Sequence, residues 1–172
     1  MSNFITSSPA GAGKQDAGRV AAGIEYLRQG RLSQAYVILS QPGTEKDPAA
    51  RFALGLCHFR AGELSAAISC FEQALGLLRA APSSQGLASR AAAENTETYL
   101  KLAAQQIADK THLGPMDADF CTLFPKAAEH TVLLALIDAY IQKGMIEHAQ
   151  RLSSGLTGPA FEAYKKKLLE NS

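Results

Sequence analysis

A pattern of small and apolar residues occurs twice in the first half of the chain, 32 residues apart. Its five positions are, in the two copies, Gly23, Tyr26, Gly30, Leu32 and Ala35, and then Gly55, His58, Gly62, Leu64 and Ala67. Repeats of this length indicate small units that each bury an apolar face against the next unit. Because the second Gly of each copy separates two segments with helical spacing, the sequence predicts a series of helical hairpins.

The apolar composition favours helices over strands. Ala and Leu together supply 51 residues, whereas Val and Ile supply 11. Helices favour Ala and Leu, and strands favour β-branched residues, so we predict an all-α fold. The three cysteines, Cys57, Cys70 and Cys121, form no CxxC motif and are odd in number, which favours a reducing compartment. The N-terminal residues lack a signal-peptide pattern and no apolar run is long enough to span a membrane, so we expect a cytoplasmic protein.

A third, less regular copy of the pattern lies near the C-terminus. Its residues are Leu136, Tyr140, Gly144, Ile146 and Ala149, with Ile137 where the small residue is expected. The 82 residues from Gly62 to Gly144 are not a whole number of repeats, which indicates an insert. We predict a long helix and then a loop with a short helical turn at 117–124, before Pro125 starts the next helix.

Residues 54–75 read Leu-Gly-Leu-Cys-His-Phe-Arg-Ala-Gly-Glu-Leu-Ser-Ala-Ala-Ile-Ser-Cys-Phe-Glu-Gln-Ala-Leu and resemble the tetratricopeptide repeat. In that family two antiparallel helices pack closely around small residues, and the corresponding positions here are Gly55, Gly62, Ala67, Phe71 and Ala74. The first copy has Pro42 at the last of these positions and is therefore expected to be shorter. The resemblance implies an antiparallel stack of helix hairpins, a tetratricopeptide-like superhelix with capping helices.

These observations divide the chain into a flexible N-terminal tail and one helical domain. The tail covers residues 1–15, and the domain covers 16–172. The predicted parts of the domain are repeat 1 at about 16–42, repeat 2 at about 48–80, a long helix at about 87–109, a loop insert at 110–124, a degenerate repeat 3 at about 125–156 and a C-terminal capping helix at about 159–170. Asp47 before Pro48 is a strong start signal for a helix, because Asp caps free amides and Pro fits the first turn.

Few residues suggest catalysis, a metal site or a cofactor. Gly13-Lys14 resembles the end of a phosphate-binding loop, but Ser8 and Gln15 stand where that motif needs Gly and Ser or Thr. The four histidines form no pair with metal-ligand spacing. Cys121 and His130 leave an enzyme as a minor alternative. The formal charge of +1 gives no basic surface for nucleic acid. We therefore expect a protein that is not an enzyme, with no cofactor, no metal and no nucleic-acid partner.

The tetratricopeptide resemblance implies a concave groove, lined by the first helix of each hairpin, that holds a peptide or helix. The implied lining residues are Val20, Ile24, Leu27 and Arg28 from repeat 1, Phe52, Leu56, Phe59 and Arg60 from repeat 2, and Leu134, Asp138, Ile141 and Gln142 from repeat 3. Arg28 and Arg60 are the candidate anion contacts. An apolar groove favours an apolar or amphipathic partner segment, which predicts a small adaptor or chaperone.

A second interpretation stays open at this point. The same apolar groove is filled by the chain's own helices, at 87–109 or at the C-terminus. The protein is then a structural module that joins identical copies into a homo-oligomer. An open groove would require a partner, since monomers seldom leave a large contiguous apolar surface exposed.

Overall fold

The computed structural model describes residues 12–80 and 109–154, and within them every regular element is helical. The elements are α1 (Ala12–Arg28), α2 (Leu32–Leu39), α3 (Pro48–Arg60), α4 (Leu64–Ala80), a 3-10 turn (Thr111–Leu113), α5 (Ala118–Leu123), α6 (Pro125–Gln142) and α7 (Ile146–Ser154). The predicted all-α fold class is confirmed. Residues 1–11, the predicted C-terminal helix and nearly all of the predicted long helix lie outside the described residues.

The helices pack as three pairs that follow one another along the chain. α1 packs on α2, α3 packs on α4, and α6 packs on α7. The first two pairs adjoin because α3 contacts both α1 and α2, and the last pair adjoins the second because α6 contacts α4. The first helix begins at Ala12, so residues 12–15, which we assigned to the N-terminal tail, belong to α1. The three pairs therefore share one continuous apolar core.

Each pair reverses direction at a glycine in the left-handed region. At Gly62, φ is +79°, and the Glu63 N–H donates to the His58 carbonyl at 2.9 Å, six residues back counting both ends. This bond and the one from the Gly62 N–H to the Phe59 carbonyl satisfy carbonyls that the end of a helix leaves free. Gly30 and Gly144 show the same bonds at φ +75° and +78°. The repeated glycines of the sequence are thus the turns of the three pairs.

The helix starts follow the local signals in the sequence. The Asp47 carboxylate accepts hydrogen bonds from the amides of Ala49 and Ala50, and Pro48 is the first residue of α3, which confirms the predicted start. Asp117 caps α5 in the same way, accepting from the Phe120 amide at 2.9 Å. Pro125 is the first residue of α6, as predicted.

Close packing within the pairs depends on one position in each helix. A Cβ at Gly55 would lie 2.5 Å from a ring carbon of Phe71, and a Cβ at Gly23 would lie 2.7 Å from Cγ of Leu39. The large residue follows the glycine by 16 positions in both pairs. In the third pair the corresponding residues are Ile137 and Ser153, both buried. At these two positions the large residue lies on the first helix and the small residue on the second, the reverse of the first two pairs.

Candidate partner-binding surface

Most of the apolar residues predicted to line a groove lie inside the core. The five are Val20, Ile24, Leu27, Phe52 and Leu56, and none is more than 2% exposed. They are buried because α1 and α3 pack on each other and on their partner helices. These five are therefore core residues here and not the lining of an open groove.

Apart from Leu134, the other predicted groove residues stay closer to the surface. Phe59 is half-buried, and Arg28 and Arg60 are exposed. In the third pair, Leu134 is buried, Asp138 and Ile141 are half-buried, and Gln142 is exposed. The polar members of the predicted set thus remain available for side-chain contacts.

The insert segment, residues 110–124, lies against these polar groove positions. Arg28 donates from Nη2 to Oδ2 of Asp117 at 3.1 Å. Arg60, at the same position of the next repeat, donates from Nη2 to the carbonyl oxygen of Leu113 at 3.3 Å. The two arginines predicted to hold an anion therefore both bind the insert segment, one through a carboxylate and one through the main chain.

The third helix pair holds the insert segment through a buried histidine. Nε2 of His112 lies 2.6 Å from Oδ2 of Asp138 on α6, and His112 is fully buried. Because a carboxylate accepts hydrogen bonds, the Nε2–H donates. One predicted groove residue from the first helix of every pair, Arg28, Arg60 and Asp138, thus bonds to the same segment.

Apolar contacts also hold the insert segment against the core. Met116 and Cys121 are buried, and Leu113 and Phe120 are half-buried against the core. α5 packs against α3 and α6, and the 3-10 turn packs against α6. The helices predicted to fill the groove, at 87–109 and at the C-terminus, lie almost entirely outside the described residues. The role of residues 110–124 in covering the polar groove positions was not predicted from the sequence. The spacing of Met116, Phe120 and Cys121 on one helical face is the signal that could have identified it.

A cleft of about 240 Å³ separates the end of α1 from the insert segment. We call it the Arg28 cleft, and its lining residues are Arg28, Gly114, Pro115, Met116, Asp117, Phe120 and Thr131. The ring of Phe120 lies 5.8 Å from that of Phe124, which is 44% exposed, and neighbouring Leu123 is 55% exposed. The cleft therefore contains a cation, and the exposed pair Leu123 and Phe124, which we call the apolar edge, follows its lining residue Phe120 along the chain.

The charges around the cleft are set by local hydrogen bonds. The Phe120 amide and then the Arg28 guanidinium hold the pKa of Asp117 below its usual value. Asp117 is consequently ionised at neutral pH and forms a charged pair with Arg28. Because about half of each side chain is exposed, solvent screens this pair and limits its strength.

Burial makes the thiols and His130, the candidate catalytic histidine, less reactive. Burial, aided by the charges of Asp47 and Asp117, raises the pKa of Cys121 to about 12. Burial also raises the pKa of Cys57 to about 11 and lowers the pKa of His130. The thiolate is the nucleophilic form of cysteine, so Cys121 is held in its unreactive state at neutral pH.

Nothing in the described ranges is arranged as a metal site. Residues 12–80 and 109–154 contain no cluster of three or more His, Cys, Asp or Glu side chains placed to ligate an ion. In the same ranges no helix combines the length and the apolar character that crossing a membrane requires.

Comparison with profiles of known protein families, with curated proteins and with solved structures gives no match to the chain.

Proposed function

We propose that the protein is a non-catalytic interaction module, a small adaptor or chaperone that holds a segment of a protein partner. One observation carries the proposal: the first helix of each of the three pairs contributes a side chain that bonds to the same stretch of polypeptide. A surface that grips an extended segment at several points in this way is suited to peptide binding. Within the proposal, the pairs form a tetratricopeptide-like superhelix that works in the cytoplasm.

The apolar edge beside the Arg28 cleft supports the same role. Leu123 and Phe124 are large apolar side chains about half exposed to solvent, next to a cleft that contains a guanidinium group. Single exposed apolar residues are common, whereas adjacent exposed apolar residues provide the kind of apolar contact area that interaction surfaces use. The edge therefore adds apolar contact area to the polar contacts of the cleft.

The state of the titratable groups supports a non-catalytic role. A catalytic thiol needs a lowered pKa, whereas burial raises that of Cys121 to about 12. Burial lowers the pKa of His130, which favours its neutral form, and the charges of Asp47 and Asp117 add to the rise in the pKa of Cys121. The proposal accordingly assigns no catalytic residue, no cofactor and no metal.

The proposal is tested by capturing partners from an extract of native cells with purified protein. The variant Leu123→Gln/Phe124→Gln removes the apolar edge, and Val37→Gln on α2, which is 61% exposed, is the matched control. We expect wild type and Val37→Gln to capture the same protein and the double variant to lose it while keeping native helicity. Equal capture by all three would place the binding surface elsewhere.

The alternative is a structural module that joins identical copies. Two observations favour it: the apolar face predicted to be a groove is filled by the chain itself, and α2 carries a second exposed apolar pair, Tyr36 and Val37. Sedimentation of the purified protein distinguishes the two functions. A stable dimer or ring that dissociates in Val37→Gln would support the structural role, and a monomer would support the adaptor.

A further inference from the structure

We infer that the Arg28 cleft is an anchor site for one aromatic side chain of the partner, a Phe or Tyr ring that enters the space between Arg28 and the insert segment. The lining residues keep their places, and the ring fills a volume that the chain leaves open. This inference rests on the proposed function and names the side chain by which the partner is recognised.

The cleft has room for one aromatic ring. Its volume is about 240 Å³, and an apolar cavity of about 150 Å³ already holds a benzene molecule. Two of its lining residues, Met116 and Thr131, are buried and belong to the packed part of the molecule. A ring therefore fits between walls that are already in place.

The apolar part of the lining consists of side chains that contact aromatic rings favourably. It is formed by Pro115, Met116 and Phe120 of the insert segment. A thioether sulfur packs well at the edge of a ring, and two rings attract each other in offset or edge-to-face arrangements. Phe120 already contacts a ring, since its centroid lies 5.8 Å from that of Phe124 in the apolar edge. A ring in the cleft thus extends an aromatic contact that includes the proposed binding edge.

The charged part of the lining matches the charge distribution of a ring. Nη2 of Arg28 donates to Oδ2 of Asp117 at 3.1 Å, and both residues line the cleft, which therefore contains one charge of each sign. An aromatic ring is negative on its faces and positive at its edge, so it suits a guanidinium over the face and a carboxylate beside the edge. A charged side chain would be attracted by one of these residues and repelled by the other. An aliphatic side chain would gain nothing from either charge.

The hydrogen bond to Asp117 leaves the faces of the Arg28 guanidinium available. A guanidinium donates in its own plane, whereas it stacks on aromatic rings through its flat faces. The protein makes this kind of contact elsewhere, because the guanidinium carbon of Arg31 lies 4.7 Å from the ring centroid of Tyr26. Arg28 therefore keeps its bond to the insert segment while it contacts a ring.

The test uses the full chain, labelled with carbon-13 at the methionine methyl groups, and two probes of one side chain each. N-acetyl-tyrosinamide supplies the aromatic ring, and N-acetyl-leucinamide is the aliphatic control. Met116 lines the cleft, whereas Met145 follows the glycine turn of the third pair and is not a lining residue. We expect the tyrosine probe to shift the Met116 signal upfield and saturably at about 1–10 mM, since so small a ligand binds weakly. Met145 should not respond, and the leucine probe should bind at least threefold more weakly.

Two variants decide whether Arg28 is the contact. Arg28→Ala should weaken binding of the tyrosine probe about threefold, as expected for a cation–π contact that is partly exposed. Arg19→Ala removes the same charge from the same helix and should bind like wild type, because Arg19 pairs with Asp16 and does not line the cleft. Equal binding by the two variants, equal binding of the two probes, or equal shifts at Met116 and Met145 would each overturn the inference.

Failure of the inference and failure of the proposed function give different results, because the probe titration needs no partner. No preference for the tyrosine probe, together with loss of capture in Leu123→Gln/Phe124→Gln, would overturn the inference and leave the proposed function supported. Preference for the tyrosine probe, together with equal capture by wild type and that double variant, would overturn the proposed function and, with it, the assignment of the ring to its partner.

Discussion

At Gly55 the ring of Phe71 on α4 packs directly against the backbone of α3. An added Cβ would lie within 2.6 Å of two ring carbons of Phe71, and that ring is fully buried with Phe52 5.4 Å away. A ring enclosed in this way has no free space to move into. The close approach of α3 and α4 therefore depends on this one glycine.

We predict that Gly55→Ala destabilises the protein by about 1–3 kcal/mol, the usual cost of overpacking a core. Gly76→Ala on α4 is the matched control, because a Cβ there meets no atom within 4 Å. The control should be neutral or stabilise by up to about 1 kcal/mol, since Gly weakens a helix interior. Urea denaturation measures both, and equal effects would contradict the proposed crowding at Phe71.

A second prediction at the residue scale concerns how the stability of the protein depends on pH. The pKa of Asp117 is lowered in the folded protein, so its contribution to stability is complete above its unfolded pKa of about 3.9 and is lost as pH falls through the lower folded value. Asp117→Asn keeps an oxygen for the Phe120 amide but loses the charge. We expect wild type to exceed Asp117→Asn by less than about 1 kcal/mol at pH 7 and the gap to close below about pH 4. A stability difference between wild type and Asp117→Asn that grew as the pH fell would contradict the lowered pKa of Asp117.

At the scale of elements, the third helix pair carries its large residue on the first helix and its small residue on the second, which is the reverse of the first two pairs. Gly and a large residue face each other across α1–α2 and α3–α4, whereas α6 and α7 carry Ile137 and Ser153 at the same positions. Both residues of the third pair are buried. The total volume is shared differently between the two helices, and the pair still closes on a glycine turn at Gly144.

We predict that Ile137 and Ser153 are energetically coupled. Ile137→Ala alone should cost about 2–5 kcal/mol through the cavity it leaves, and Ser153→Leu alone about 1–3 kcal/mol through overpacking. The double variant should cost at least about 1 kcal/mol less than the sum, because the added Leu fills the space of the lost Ile. A double-mutant cycle by thermal and urea unfolding checks this, and simple additivity would contradict the size reversal.

At the scale of the whole molecule, local features were predictable and long-range ones were not. The glycine turns, the Asp47 cap and the start of α6 at Pro125 depend on a few neighbouring residues. The bond from Arg60 to the Leu113 carbonyl, in contrast, joins residues 53 positions apart. No local pattern in the sequence specifies that pairing. The sequence therefore identified which residues share the predicted groove face, but it did not predict that the apolar ones would be buried.

We predict that Asp138→Ala has effects far from its own position. The substitution leaves His112 buried without its acceptor, which should cost about 1–3 kcal/mol. Because the same segment also contacts α1, hydrogen exchange should rise at the end of α1 and in α5 as well as around His112. Asp138→Asn, which keeps an oxygen acceptor, should show a smaller effect. Changes confined to α6 would mean that the insert segment does not connect the pairs.

The bond between Arg28 and Asp117 joins residues 89 positions apart. A row of helix pairs that touch only their neighbours can be unravelled from one end, one pair at a time, under a weak pulling force. Here the segment bound to α1, α3 and α6 acts as a clamp along the row. A force applied to α1 is therefore shared with the last pair until the bond between Arg28 and Asp117 breaks.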